Sequence, residues 1–181
     1  MKLFIGIEVP PDIKKQVLAI QGEEQQGVNW YVSEKLHITL VYIGDVAEKN
    51  INKIKDTLED IEFHDFDLKL EGSGGIFYAG NRNYVWLNVN HSDGFENLRE
   101  AVLEGLNNSG IQLMDYKNAP HLTIAKFKDF DQDKVEAFKY DCSSFCSKAF
   151  NISSFVLYQT VSDKKDVSYK ALKSFPCGVS G

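Results

Sequence analysis

The tripeptide pattern His-x-Thr occurs twice in this chain, each time inside an apolar run: Leu36-His37-Ile38-Thr39-Leu40 and Pro120-His121-Leu122-Thr123-Ile124. The chain holds only four histidines, so the repeat uses half of them. Side chains on a strand alternate faces, so a His and a Thr two residues apart point the same way while the apolar residues between and beside them point the other. Two such strands side by side present two imidazoles and two hydroxyls to one groove, enough to hold a phosphate and move protons on both sides of it.

That grouping points to paired general acid–base chemistry. An unperturbed imidazole has a pKa near ~6.5, so one ring can be neutral while the other is protonated at neutral pH. Displacement at phosphorus uses such a pair: His37 or His121 takes a proton from the attacking oxygen, and the other protonates the leaving oxygen. Thr39 and Thr123 are placed to donate to the non-bridging oxygens. Lys126 is five residues after His121, an odd spacing that turns it to the opposite face of an ideal strand unless a bulge brings it back. It reads as either a phosphate contact or a solvated strand end.

Other chemistries lack parts. Gly-x-Ser-x-Gly is absent, so there is no nucleophile elbow. A Walker-type loop is absent, so ATP hydrolysis is not expected, and no cofactor is called for. A metal held by His37 and His121 with Asp45 or Asp115 is conceivable, but the repeat does not require it, and the expected site is metal-free. Cys142-x-x-x-Cys146 lacks partners at ligand spacing, and with Cys177 these read as reduced cysteines. Trp30, Tyr42, Phe77, Tyr78 and Tyr158 are aromatics able to stack on a base, but for each one alone core packing is the better reading; Phe77-Tyr78, after a glycine run, is the expected exposed pair. Arg82 reads as a surface loop charge before a phosphate ligand.

The net charge of −6 over 181 residues argues against a face that grips many phosphates of a long nucleic acid. The expected substrate is one chain end or something small. No apolar stretch reaches membrane-span length and the first residues do not resemble a signal peptide, so a cytoplasmic location is expected, with no membrane partner and a monomeric state.

The periodicity alternates strands and helices. Strands are expected over 2–8, 28–32, 36–43, 66–71, 83–90, 120–127, 150–160 and 167–174. Helices are expected after Pro10-Pro11-Asp12, over the stripe Ile51, Ile54, Leu58 and Ile61, over 93–108 with Phe95, Leu98, Val102, Leu103 and Leu106 inward, and over 131–140. Asp45 with Glu48 resembles a capping box. Gly72-Ser73-Gly74-Gly75 reads as a turn or bulge between elements, and residues 164–166 as a polar turn. Each half runs strand, helix, His-x-Thr strand, helix, with the histidines nearly half the chain apart.

These motifs resemble the 2H phosphoesterase superfamily, and more narrowly its RNA 2′,3′-cyclic phosphodiesterase, or 2′-5′ RNA ligase, branch. The segment Lys2 to Pro10 is similar to that branch's opening strand. Asn29-Trp30 and Leu36 to Gly44 resemble its first motif, Ala119 to Lys126 its second, and Ser154 to Tyr158 with Tyr169, Leu172 and Phe175-Pro176 its tail. The resemblance implies an α+β, bilobal fold: two antiparallel sheets with flanking helices around a central groove, residues 1–181 forming a single domain of two pseudo-symmetric lobes. It implies metal-independent hydrolysis of 2′,3′-cyclic phosphates, at RNA 3′ ends or on small cyclic nucleotides, to 2′-phosphates. The catalytic pair is then His37 and His121, with Thr39, Thr123, Lys126 and Phe77 binding substrate. Some relatives also join RNA ends through 2′-5′ bonds without ATP. The branch usually has a basic residue at the position of Val41 and Arg at that of Lys126. These departures favour a small cyclic phosphodiester or a 2′-5′-linked oligonucleotide over long RNA. A nucleotide- or RNA-binding module without turnover is the rival reading; two titratable groups are more than binding alone needs.

Overall fold

The computed structural model describes residues 1–22, 28–79, 82–114, 119–127, 132–163 and 166–178. The strands are β1 Lys2–Glu8, β2 Val28–Trp30, β3 His37–Asp45, β4 Phe66–Leu68, β5 Leu70–Ala79, β6 Arg82–Val89, β7 His121–Phe127, β8 Phe150–Ile152, β9 Ser154–Ser162 and β10 Val167–Pro176. The helices are α1 Pro11–Ala19, α2 Ile51–Glu59, α3 Asp93–Asn108 and α4 Gln132–Cys142. Among the described residues there are two antiparallel sheets. The larger runs β10-β9-β1-β3-β7-β6-β5 with β2 also beside β7, and the smaller pairs β4 with β8. Both motif strands lie at the centre of the larger sheet.

Local chemistry accounts for most of these elements. Pro11 opens α1, where its missing N–H is no loss, and Ile13 and Val17 are buried one turn apart. In α3 the Ser92 hydroxyl accepts from the Phe95 amide at 3.3 Å, and Phe95, Leu98, Val102 and Leu106 form the buried stripe. The core unites these with Leu3, Ile5 and Ile7 of β1, Ile38 and Leu40 of β3, and Leu122 and Ile124 of β7.

Three expectations change. The Asp45–Glu48 capping box does not form: Asp45 still pairs with Lys2, and Met1 and Val46 exchange two hydrogen bonds of 2.8 Å, so the strand ladder holds the chain extended there. A 3₁₀ turn, Glu48–Asn50, follows before α2 begins. The glycine run is not a turn between elements, because β5 continues through it. It carries the bulge that was the other reading, with register shifts between Glu71 and Ser73 and between Ser73 and Ile76. Residues 66–71 and 150–160 each divide in two, because β4 and β8 leave to form the small sheet.

Candidate active site

Among the described residues β3 and β7 share one ladder pair, Ile38 with Leu122, the middle residues of the two motifs. Both are fully buried, while the His and Thr on either side of each are half-buried. Counting one step from that pair, His37 lies across from Thr123 and Thr39 across from His121. All four side chains occupy the face opposite the two apolar ones. Beyond the pair β7 takes β2 as its neighbour, through Trp30 and Ala125, so the motif strands separate.

Each imidazole is tethered alike. His37 Nδ1 is 2.8 Å from the Lys35 carbonyl and His121 Nδ1 is 2.9 Å from the Ala119 carbonyl, each two residues upstream. A carbonyl only accepts, so Nδ1 carries the proton and donates it. The neutral ring then keeps its lone pair on Nε2.

The surroundings of the two rings differ. His37 packs on Phe4 at 4.8 Å between centroids and edge-on to Tyr169 at 4.7 Å, with Tyr158 at 6.0 Å. Burial lowers its pKa to about 4; the charges of His121 and Lys14 act in the same direction, and the Lys35 hydrogen bond opposes them. His121 packs on Trp86 at 4.9 Å. Burial lowers its pKa too, against the Ala119 hydrogen bond. Unfolded His37 takes up a proton near pH 6.5 and the folded ring only near pH 4, so protons favour the unfolded chain and stability falls as pH drops through that window. The shift corresponds to about 3 kcal/mol. Urea titrations at pH 7 and pH 4 should show that much more loss in the wild type than in His37→Gln; equal losses would refute it.

Just past the threonine each motif strand carries a β-bulge in the same place. In β3, Thr39 pairs with Gly6 but Val41 with Ile5, leaving Leu40 extra. In β7, Thr123 pairs with Trp86 but Ala125 with Val85, leaving Ile124 extra. Leu40-Val41 and Ile124-Ala125 are therefore each two consecutive buried residues. The residue five after each histidine returns to the groove face: Tyr42 in the first motif, Lys126 in the second. This bulge places Lys126 on the same face as His121. Val41 is core.

Beside Lys126, the Asp166 carboxyl is held below its usual range by hydrogen bonds from Lys35 Nζ and the Val167 amide, with the Lys126 charge adding to the effect. Phe77 pairs with Tyr84 across β5 and β6, but its side chain, like those of Tyr78 and Arg82, lies outside the described residues. Asp115, one conceivable metal ligand, also lies outside them. Asp45, the other, is eight residues along β3 from His37, about 25 Å at strand rise. Among the described residues no group of three or more His, Cys, Asp or Glu side chains is placed to hold a metal, and no helix is long and apolar enough to cross a membrane. Cys142, Cys146 and Cys177 are free thiols.

The family model of the 2′-5′ RNA ligase superfamily matches residues 9–163. The chain belongs to this superfamily. It is 30% identical over 179 residues to the RNA 2′,3′-cyclic phosphodiesterase of Archaeoglobus fulgidus, covering 97% of this chain and 99% of that one. The apo structure of LigT from E. coli has the same fold, with a TM-score of 0.79 at 18% identity over 97% of this chain and 96% of that one. LigT complexed with 3′-AMP gives 0.77 at 19% identity, with the same coverage.

As a superfamily member the chain carries site features that the motifs alone did not reveal. Phe4 is buried yet stands apart from the main core, under the groove face among His37, Tyr42, Tyr158 and Tyr169. Gly6 makes room for it: a Cβ there would meet the Phe4 and Tyr158 rings at 3.4 Å and the Ile38 carbonyl at 3.2 Å. Strand alternation from Leu3-Ile5-Ile7 already sets Phe4 and Gly6 on the other face, a signal available in the sequence. The tethering carbonyls of Lys35 and Ala119 carried no signal, since every residue has one. Tyr31, Tyr84 and Tyr169 gather near Tyr42, with Tyr31 and Tyr169 hydrogen-bonded. Burial pushes the Tyr169 hydroxyl up to about 12 and Tyr31 higher, so both stay neutral.

Proposed function

We propose that this chain hydrolyses 2′,3′-cyclic phosphodiesters, at RNA 3′ ends or on small nucleotides, to 2′-phosphates, with His37 and His121 dividing the proton transfers and no metal taking part. The observation that carries the reading is the matched tether of two imidazoles across one buried ladder pair, each ring presenting Nε2 on the groove face. Water attacks phosphorus and gives its proton to Nε2 of one ring. The P–O3′ bond breaks, and Nε2–H of the other ring delivers a proton to O3′, leaving the phosphate on O2′. Thr39 and Thr123 donate to the non-bridging oxygens, and Lys126 adds the cation. The activity named for the Archaeoglobus relative, matched over 97% of this chain, supports the substrate class, and 3′-AMP in LigT supports a nucleotide-sized ligand. A 5′-hydroxyl in place of water would give a 2′-5′ bond by the same transfers, which is how the superfamily's name enters this reading. Residues 1–181 act as one domain of two related halves in this reading.

The test is incubation of a 2′,3′-cyclic nucleotide, and of a short RNA with a 2′,3′-cyclic end, with a chelator present and the phosphate position of the product read out. A 2′-phosphate is expected, with kcat/KM following a bell-shaped pH profile whose limbs both lie below pH 6.5, because both free-enzyme imidazoles titrate low. A 3′-phosphate, or loss of turnover to the chelator, would refute the reading. Tight binding with the cyclic ligand recovered intact would replace it with the binding-module alternative.

A further inference from the structure

The carbonyl that tethers His37 belongs to a short surface turn, and that turn is held from the far edge of the sheet. Lys35 ends the 3₁₀ turn Ser33–Lys35. Before the turn, the Tyr31 amide donates to the Ile124 carbonyl at 2.9 Å, and after it Leu36 enters the core. The turn itself closes on two local hydrogen bonds, from the Lys35 amide to the Val32 carbonyl at 2.9 Å and from the Leu36 amide to the Ser33 carbonyl at 3.2 Å. Val32 and Glu34 are exposed, so its own side chains bury little. A turn built this way is a loose reference point for a carbonyl.

The Lys35 side chain supplies a long-range anchor. It is 19% exposed, its ammonium lies 5.9 Å from the Tyr31 ring centroid, and it donates to Asp166 Oδ1 across a sequence separation of 131 residues. Asp166 is fixed in turn. Its Oδ1 also accepts from the Val167 amide at 2.8 Å, and its carbonyl accepts from the Asp163 amide at 2.9 Å. Asp166 immediately precedes β10, which β9 and β1 separate from the motif strand β3. The same strand reaches the segment a second time, because Tyr169 is hydrogen-bonded to Tyr31 and packs edge-on to His37. β10 and the residue before it therefore brace both the His37 ring and the segment that carries its tether.

We propose that Asp166 is a positioning residue for His37: by holding Lys35, it fixes the carbonyl that selects the Nδ1–H tautomer and aims Nε2 into the groove. The inference rests on the proposed hydrolysis for its effect on rate, whereas the tautomer is a property of the resting protein. Asp166 is exposed, so the ion pair contributes little to stability and its role lies in geometry. When the tether wanders, Nδ1 loses its acceptor part of the time. The neutral ring then samples the tautomer in which Nε2 carries the proton and has no lone pair to offer. The Lys126 charge also reaches Asp166. Removing the carboxylate leaves the groove more positive and does not weaken its hold on an anionic substrate, so a loss confined to kcat marks misplacement.

The test compares Asp166→Asn, Asp166→Glu and Lys35→Met with wild type in two measurements. The first is the long-range proton–nitrogen correlation spectrum of the imidazoles near neutral pH, in which wild type should show both His37 and His121 protonated on Nδ1. In Asp166→Asn and Lys35→Met the two His37 ring nitrogens should move toward each other in shift as the tautomers mix, while His121 keeps its wild-type pattern. The second is kinetics on adenosine 2′,3′-cyclic phosphate. In the same two variants kcat should fall by on the order of 10-fold, with KM unchanged or lower, and Asp166→Glu should recover most of the loss. A wild-type His37 tautomer in both variants overturns the proposal, because the tether then does not depend on the pair. A change shared by His121, with a lower melting temperature, overturns it as well, because the pair is then scaffold. Wild-type kcat in a variant whose His37 tautomers mix does the same. If wild type turned over no cyclic phosphate, the hydrolysis reading would fail by itself, and the imidazole spectra would still decide the positioning role.

Discussion

His37→Ala and His121→Ala should each lower turnover of a 2′,3′-cyclic nucleotide by on the order of 10²–10⁴. Each substitution removes one Nε2 from the groove face and leaves the other ring tethered to its carbonyl. The reaction then lacks either its base or its acid. The double variant should be little worse than the poorer single one, because the two groups act on one transition state and their losses do not add. Neither ring belongs to the main core, so both variants should keep the wild-type far-ultraviolet spectrum. His37→Ala, which opens a gap beside Phe4 and Tyr169, should also melt lower than His121→Ala. Steady-state kinetics on the purified variants check this. Wild-type-like turnover in either one would remove the pair as the catalytic device.

Leu122→Ala should cost about 2–5 kcal/mol of stability, and the fraction that stays folded should also lose activity. Leu122 is fully buried, and among the described residues its strand meets β3 by ladder pairing only at Ile38. Truncating it leaves a cavity at the junction that sets the spacing between the two imidazoles. Phe127→Ala is the control. Phe127 is also buried, at the far end of the same strand, where β2 and β6 hold the ladder on both sides. It should lose comparable stability with a much smaller fall in kcat. Urea melts and kinetics at a temperature where both variants are folded separate the two effects. Equal loss of kcat in both would show that the junction has no special role in aligning the site.

How much of this was legible beforehand varies with the range of the forces involved. β1 and α3 have the limits expected, because alternation and the 3.6-residue stripe are local signals that the core reinforces. The capping box at Asp45 failed because a non-local interaction, the strand end tied to Met1, outweighed a local one. The glycine run looked like an interruption, yet Ser73 still pairs with Leu87 and Ile76 with Val85, and these pairs keep it in the sheet. At the site, residue types and spacing sufficed to nominate His37, Thr39, His121 and Thr123, since two-residue alternation needs no tertiary information. Lys126 was ambiguous for the same reason: five is an odd number, and only the bulge at Ile124 turns the side chain round.

The sequence by itself determined that two His-Thr pairs ride on apolar strands, each pair sharing a face, because a strand's side-chain period is a property of the backbone. Tertiary structure decided that the middle residues of the two motifs pair with each other. It also decided that each ring is tethered through Nδ1 and that Tyr42 and Lys126 return to the groove. These outcomes depend on register, on carbonyls that every residue possesses, and on an extra residue in a ladder, all of which exist only once a second strand is in place.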